Sequence, residues 1–188
     1  MLLPAVPRLI LIVVLGCSFV YFLGAGQRTF TSSGTDDTGG LWAQISFGFT
    51  GAGTTIFLGL FVPIRLYNAL GALALLMCSL ALYEWARHTI SGRSFYIACS
   101  GDVPDALCDR GPYAHIRHPI YASYILAFLA VLVAMPTLIT LAVFMFNAAL
   151  FTHAALSDER GLASGTFAAD YALYKKRTGM LLPRVFRH

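Results

Sequence analysis

Residues 110–121, RGPYAHIRHPIY, place two arginines and two histidines directly before an apolar segment. Pro119 suits the first position of a helix, where a missing N–H costs nothing, and a residue before proline is biased away from helical geometry. This pattern predicts that Arg117 and His118 lie at the entrance of a helix whose free N–H groups favour an anion. Tyr121 and Tyr124 would add rings above an apolar wall. Such a site suits a ligand with an anionic group and a flat ring, although contacts between these cations and lipid phosphates explain the spacing equally well.

A second polar segment follows the last apolar stretch and begins with the carboxylates Asp158 and Glu159. Further along, Phe167, Tyr171 and Tyr174 recur at intervals of four and three residues, opposite charged side chains. This spacing predicts an amphipathic helix that stops at Gly179. Such a helix either lies on a membrane surface or forms a lid over a pocket.

The elements that must position these residues are apolar helices. Hydrophobic side chains make up 57% of the 188 residues and charged ones only 12%, whereas soluble domains carry about 25% charged residues. This composition is typical of a membrane protein. The sequence also contains five apolar stretches, at 9–24, 42–64, 66–83, 120–135 and 137–156. We therefore predict an all-α integral membrane protein with about five transmembrane helices and a cytoplasmic C-terminal amphipathic helix.

The distribution of positive charge predicts the topology of this multi-pass protein. All but two of the 13 lysines and arginines fall in 25–41, 84–118 and 157–188, and the exceptions are Arg8 and Arg65. Positive residues concentrate on the cytoplasmic side, so these three segments, and the active site in them, are predicted to face the cytoplasm. We expect one membrane domain over 1–188. Residues 1–83 would form three helices, and residues 84–188 a catalytic half with a cytoplasmic loop, a helical hairpin and a lid helix.

GPYAHIRHPIY resembles the signature of the isoprenylcysteine carboxyl methyltransferase family, which has a Gly-Pro-Tyr turn and then Arg-His-Pro-x-Tyr entering a membrane helix. The resemblance extends over about 84–183, and related phospholipid methyltransferases share parts of it. It includes SGRSFY (91–96), the pair at 158–159, and the tail residues Leu162, Phe167, Tyr171, Tyr174 and Pro183. The first three apolar segments resemble the family only in being apolar helices.

This resemblance implies an S-adenosylmethionine-dependent methyltransferase with a lipid-like or isoprenoid acceptor, such as a prenylcysteine carboxylate. It implies that the cofactor site contains the residues Tyr113, His118, Pro119, Tyr121 and Glu159. Arg117 is our candidate for orienting an acidic acceptor, because a guanidinium grips a carboxylate with two hydrogen bonds. His118 is a candidate base if the acceptor is an amine or a thiol. His115 is a candidate pocket or lid residue.

Two other functions stay open on the sequence. Membrane sterol reductases that bind NADPH have a similar Arg-His-Pro-Asn-Tyr motif followed by a glycine and an acid, but here Ile120 replaces the asparagine and Ala122-Ser123 follow Tyr121. A non-enzymatic membrane scaffold would bind no nucleotide at all. The sequence shows no ligand spacing that predicts a metal site. The net charge of +4 needs only anionic lipid as its partner and no nucleic acid.

Overall fold

The computed structural model describes residues 1–30, 38–90, 107–164 and 168–184, with the side chains of 26–46 left undescribed. These ranges contain six α-helices and one 3₁₀ turn (Gly111–Ala114) and no β-strand. The helices, in chain order, are α1 (Ala5–Phe30), α2 (Thr38–Phe61), α3 (Leu66–Ile90), α4 (Pro119–Ala134), α5 (Leu138–Ser164) and α6 (Ala168–Arg177). The all-helical prediction is confirmed for the described residues.

Three helical segments are long and apolar enough to cross a membrane, and they cover Ala5–Ala25, Leu66–Ile90 and Leu138–Ser164. Two shorter apolar helices cover Phe47–Phe61 and Pro119–Ala134. Large apolar side chains on the outer surface are strongly exposed, including Phe49 and Leu138, and lipid rather than water suits such a surface. The multi-pass arrangement with five spans stays a prediction.

The first five helices run in alternating directions. The Leu3 amide donates to the Ile64 carbonyl at 2.7 Å, so the start of α1 and the end of α2 lie together. At the opposite end, the Tyr21 hydroxyl donates to Glu84, where α3 is about to finish. We call this second end, which carries Glu84, Arg117 and Glu159, the charged end.

Aromatic rings fill the core between the helices near the charged end. Phe47 of α2 lies 4.6 Å from Tyr124 of α4, and Phe22 of α1 lies 4.9 Å from Tyr83 of α3, between ring centroids. Close approach of α1 and α2 depends on Gly51, where an added Cβ would come within 2.2 Å of the Phe19 ring. This packing fixes the position of α4, whose first turn carries the predicted site.

Candidate functional site

The chain enters α4 through a turn that only glycine adopts without strain. Gly111 has φ of +55°, and an added Cβ would lie 2.5 Å from the Thr89 hydroxyl of α3, so both conformation and space require glycine. Pro112 is buried behind it. As the sequence predicts, α4 begins at Pro119, and His118 before it has the non-helical angles φ −124° and ψ 63°.

The backbone of the motif is held by the segment after α6. The amides of Arg117 and His118 donate to the carbonyls of Gly179 and Met180 at 2.8 and 3.1 Å. The Gly179 amide in turn donates to the His115 carbonyl at 3.1 Å. Two segments about sixty residues apart in sequence therefore form a short ladder. This ladder fixes the backbone positions from which the side chains of Arg117 and His118 extend.

The charged side chains of these elements meet around one buried carboxylate, that of Glu159. Arg117 Nε donates to Glu159 Oε1 at 2.7 Å, and the two side chains are only 8% and 5% exposed. Lys175 Nζ of α6 lies 2.6 Å from Glu159 Oε2. Arg117 also donates through Nη1 to the Thr178 carbonyl. A buried carboxylate requires this kind of compensation, because an unpaired charge there would be costly.

His118 lies on the other side of the same carboxylate. Its Nε2 is 3.7 Å from Glu159 Oε1, and its Nδ1 is 3.9 Å from Asp158 Oδ2. Nε2 is buried and has no hydrogen-bond partner in the described part of the chain. Both distances exceed hydrogen-bond length, so the ring is near two carboxylates and bonded to neither.

A row of stacked rings runs from this histidine into the membrane segment. The His118 ring lies 5.7 Å from Tyr121 at an interplanar angle of 8°, and Tyr121 lies 5.9 Å from Phe151 of α5 at 25°. Tyr124 also contacts Phe151, but it is buried among the core rings. The two tyrosines therefore have different surroundings: Tyr121 lies beside the charged cluster, and Tyr124 lies in the core.

Two tyrosines of α6 close the site from the outside. The Tyr174 hydroxyl donates to the Tyr113 carbonyl at 2.6 Å, and Tyr171 is buried beside the charged cluster with a hydroxyl that has no hydrogen-bond partner within the described ranges. Burial raises the pKa of Tyr113 and of Tyr174. Burial also raises the pKa of Tyr171, and the negative charge of Glu159 raises it further. These phenols stay protonated at neutral pH and can donate hydrogen bonds.

The family model of isoprenylcysteine carboxyl methyltransferases matches residues 72–164. This half of the chain belongs to an isoprenylcysteine carboxyl methyltransferase-like family. The match contains the ladder residues Arg117 and His118, the stacked Tyr121 and the buried Glu159. Neither the curated proteins nor the solved structures gave a significant match.

The family match differs in extent from the resemblance read on the sequence. It begins inside α3, at residue 72 rather than 84, and ends with α5 at residue 164 rather than 183. The tail residues Tyr171, Tyr174 and Pro183 lie outside it. SGRSFY (91–96) falls within it, but that segment and Phe167 lie outside the residues that the structure describes.

The structure brings most of the predicted site residues together. Arg117, His118 and Glu159 meet in the cluster, Tyr121 stacks on His118, and Pro119 forms the buried first position of α4. Tyr113 presents its carbonyl to α6. His115 is exposed instead of contributing to the cluster.

Sequence reasoning missed Lys175 as a partner of Glu159. The signal was present, because Lys175 follows Tyr171 by four residues and so lies on the same side of α6. The direct contact between Arg117 and Glu159 was missed as well, since it joins residues 42 positions apart.

Proposed function

We propose that the protein transfers a methyl group from S-adenosylmethionine to a lipid-like or isoprenoid acceptor at the cytoplasmic face of a membrane. The observation that carries the proposal is the buried cluster of Arg117, His118 and Glu159 within the segment matched by the family. Family membership supports methyl transfer as the reaction. The cofactor, the acceptor and the cytoplasmic orientation are our inferences.

The residue types in the cluster are suited to binding S-adenosylmethionine. His118 Nε2 and the Tyr171 hydroxyl are buried polar atoms without hydrogen-bond partners in the described ranges, and such atoms are usually satisfied by a ligand or by water. The stacked His118 and Tyr121 rings offer a flat face for adenine. Carboxylates and aromatic faces attract a sulfonium, and Glu159 supplies a negative charge beside the His118 and Tyr121 rings.

S-adenosylmethionine, when bound, supplies a methyl group activated by a positively charged sulfur. The chain's contribution is then alignment and exclusion of water, which matter more for a direct displacement than acid catalysis does. Glu159, held by Arg117 and Lys175, would hydrogen-bond a hydroxyl or amine of the cofactor. Burial of Glu159, Tyr171 and Tyr174 would limit the access of water to the reacting centre.

Arg117 is proposed to orient an acidic acceptor. A guanidinium carries five N–H donors, and Arg117 donates through Nε to Glu159 and through Nη1 to the carbonyls of Lys175 and Thr178. Nη2 makes no hydrogen bond to the residues that the structure describes, and we assign it to an acceptor carboxylate, for example that of a prenylcysteine. A carboxylate is already ionised at neutral pH and needs no base, whereas an amine or thiol acceptor would give its proton to His118.

The position of the site suits a reaction between a water-soluble donor and a membrane-bound acceptor. Arg117 and Glu159 lie where α4 begins and α5 approaches its end, beside apolar helices whose outer surfaces are exposed. A lipid would approach from the bilayer and the cofactor from the aqueous side. The positive charge in segments 84–118 and 157–188 supports the cytoplasm as that side.

Cofactor binding tests the proposal. We expect S-adenosylhomocysteine, the product form of the cofactor, to raise the unfolding temperature of the purified protein and NADPH to leave it unchanged. A ligand that binds only the native state stabilises it by about 2.7 kcal/mol at a hundredfold excess over Kd. Stabilisation by NADPH alone would assign the protein to the reductases, and stabilisation by neither nucleotide would favour the scaffold.

A further inference from the structure

An open groove lies between α6 and the segment that follows it. Its volume is about 990 Å³, and its ten lining residues include four cations and no acid. The cations are Arg117, Lys175, Lys176 and Arg184. The groove therefore has a strongly positive wall at the charged end of the helices.

The four cations divide into an inner and an outer pair. Arg117 and Lys175, the inner pair, are both bound to Glu159. Of the outer pair, Arg184 donates to backbone carbonyls of Lys176 and Lys175. Neither outer cation has a carboxylate partner in the part of the chain that the structure describes. By contrast, the neighbouring Arg177 forms an ion pair with Asp109 at 2.7 Å. The outer end of the groove thus holds two positive charges that remain available to an anion.

Apolar side chains border the same positive charges. Leu182 lines the groove and is 77% exposed. Leu173, which is 64% exposed, lies three residues before Lys176 and so on the same side of α6. A free phosphate would leave these leucines in water, whereas a phospholipid offers apolar contact beside its phosphate. The combination of cations with neighbouring exposed leucines favours a lipid over a soluble anion.

We propose that the outer end of this groove binds the phosphate headgroup of an anionic phospholipid, with Lys176 and Arg184 as its two cationic contacts. The bound headgroup would steady the segment after α6. That segment supplies the Gly179 and Met180 carbonyls that hold Arg117 and His118, so lipid binding would support the geometry of the site. The proposal does not depend on methyl transfer.

The test compares two double variants of the full-length protein in a neutral detergent. Lys176→Gln/Arg184→Gln removes the outer pair, and Arg65→Gln/Arg160→Gln removes the same charge outside the groove. Each protein is titrated with phosphatidylglycerol, phosphatidylcholine or inorganic phosphate, and binding is followed by native mass spectrometry and by unfolding temperature. A cation near an anionic lipid surface contributes about fivefold in affinity, so the groove variant should bind phosphatidylglycerol roughly 25-fold more weakly. The control variant should stay within about twofold of the wild type.

Three results would overturn the proposal. Equal losses in the two double variants would show a general effect of charge. Equal stabilisation by inorganic phosphate and phosphatidylglycerol would assign the groove to a soluble anion. A loss of S-adenosylhomocysteine binding in the groove variant, measured in detergent without added lipid, would make the groove part of the cofactor site. If the double variant does not fold, Lys176→Gln alone should still weaken phosphatidylglycerol binding about fivefold, and no change would refute the assignment.

Discussion

Replacing Glu159 by glutamine should weaken S-adenosylhomocysteine binding, whereas replacing Arg117 by alanine should largely spare that binding and suppress methyl transfer. Glutamine keeps the shape of the side chain but removes the charge. A lost hydrogen bond to a charged group costs about 1.5–3 kcal/mol, or about ten- to a hundredfold in Kd. We expect a loss of this size for Glu159→Gln.

The contacts of Glu159 explain why the two variants should differ. In Arg117→Ala, Lys175 remains 2.6 Å from the carboxylate and keeps it charged and in place for the cofactor. In Glu159→Gln, Arg117 retains its bond to the Thr178 carbonyl, and Lys175, whose side chain is 53% exposed, can turn to solvent. The remaining charge keeps a hydrogen-bond partner in both variants, but Glu159→Gln leaves the buried Arg117 without a carboxylate, so this variant should also unfold at a lower temperature. Binding is therefore measured below the unfolding temperature of each variant.

Calorimetry with S-adenosylhomocysteine measures the Kd of each variant for the cofactor product. Transfer of labelled methyl groups into a farnesylcysteine analogue or an extract of membrane lipids measures the methyl-transfer activity of each variant. Glu84→Gln is the matched control, because Glu84 also pairs with an arginine at 2.6 Å at the charged end but lies outside the cluster. This control should bind the cofactor normally.

Three outcomes would refute the reasoning. If Arg117→Ala abolishes cofactor binding while Glu159→Gln leaves it intact, the two roles are reversed. If neither variant changes binding or turnover, the site lies elsewhere. If Glu84→Gln weakens binding as much as Glu159→Gln does, the loss reflects charge removal and not contact with the cofactor.

Two further predictions concern topology and the turn before α4. In a cysteine-free background, single cysteines at the exposed positions Ala114 and Leu182 should resist a membrane-impermeant thiol reagent applied to intact cells, whereas one at Pro136 should react; rapid labelling at either of the first two would contradict the cytoplasmic assignment. Gly111→Ala should lower the unfolding temperature, because a positive φ in a non-glycine residue costs on the order of 1–3 kcal/mol and the added Cβ would press on Thr89. An unchanged unfolding temperature would show that the turn relaxes without cost.

Features governed by neighbours in sequence were predictable. Pro119 marks the start of α4 because its ring fixes φ and removes a donor that a first turn does not use. Glu84 precedes Arg87 and His88 by three and four residues, a spacing that brings side chains together on a helix, and it contacts both. These rules need only three or four residues of context.

Features that depend on how helices pack were not predictable. The sequence assigned Arg117 and Glu159 to different ligands, and no spacing indicates that residues on α4's entrance and on α5 touch. Tyr124 was expected beside Tyr121, but the ring cluster formed by α1, α2 and α3 buries it. The three-residue spacing describes one helix and carries no information on which neighbour covers it.

The ladder between His115–His118 and Gly179–Met180 has a consequence for the order in which the protein matures. A chain that stops before residue 178 contains every apolar helix and can occupy the bilayer, yet the amides of Arg117 and His118 lack the carbonyls that hold them. Insertion into the membrane and completion of this backbone ladder would therefore be separate events. During synthesis, the ladder can form only after about sixty residues beyond the motif at 110–121 have been added. A truncated chain would therefore be expected to insert without completing the site.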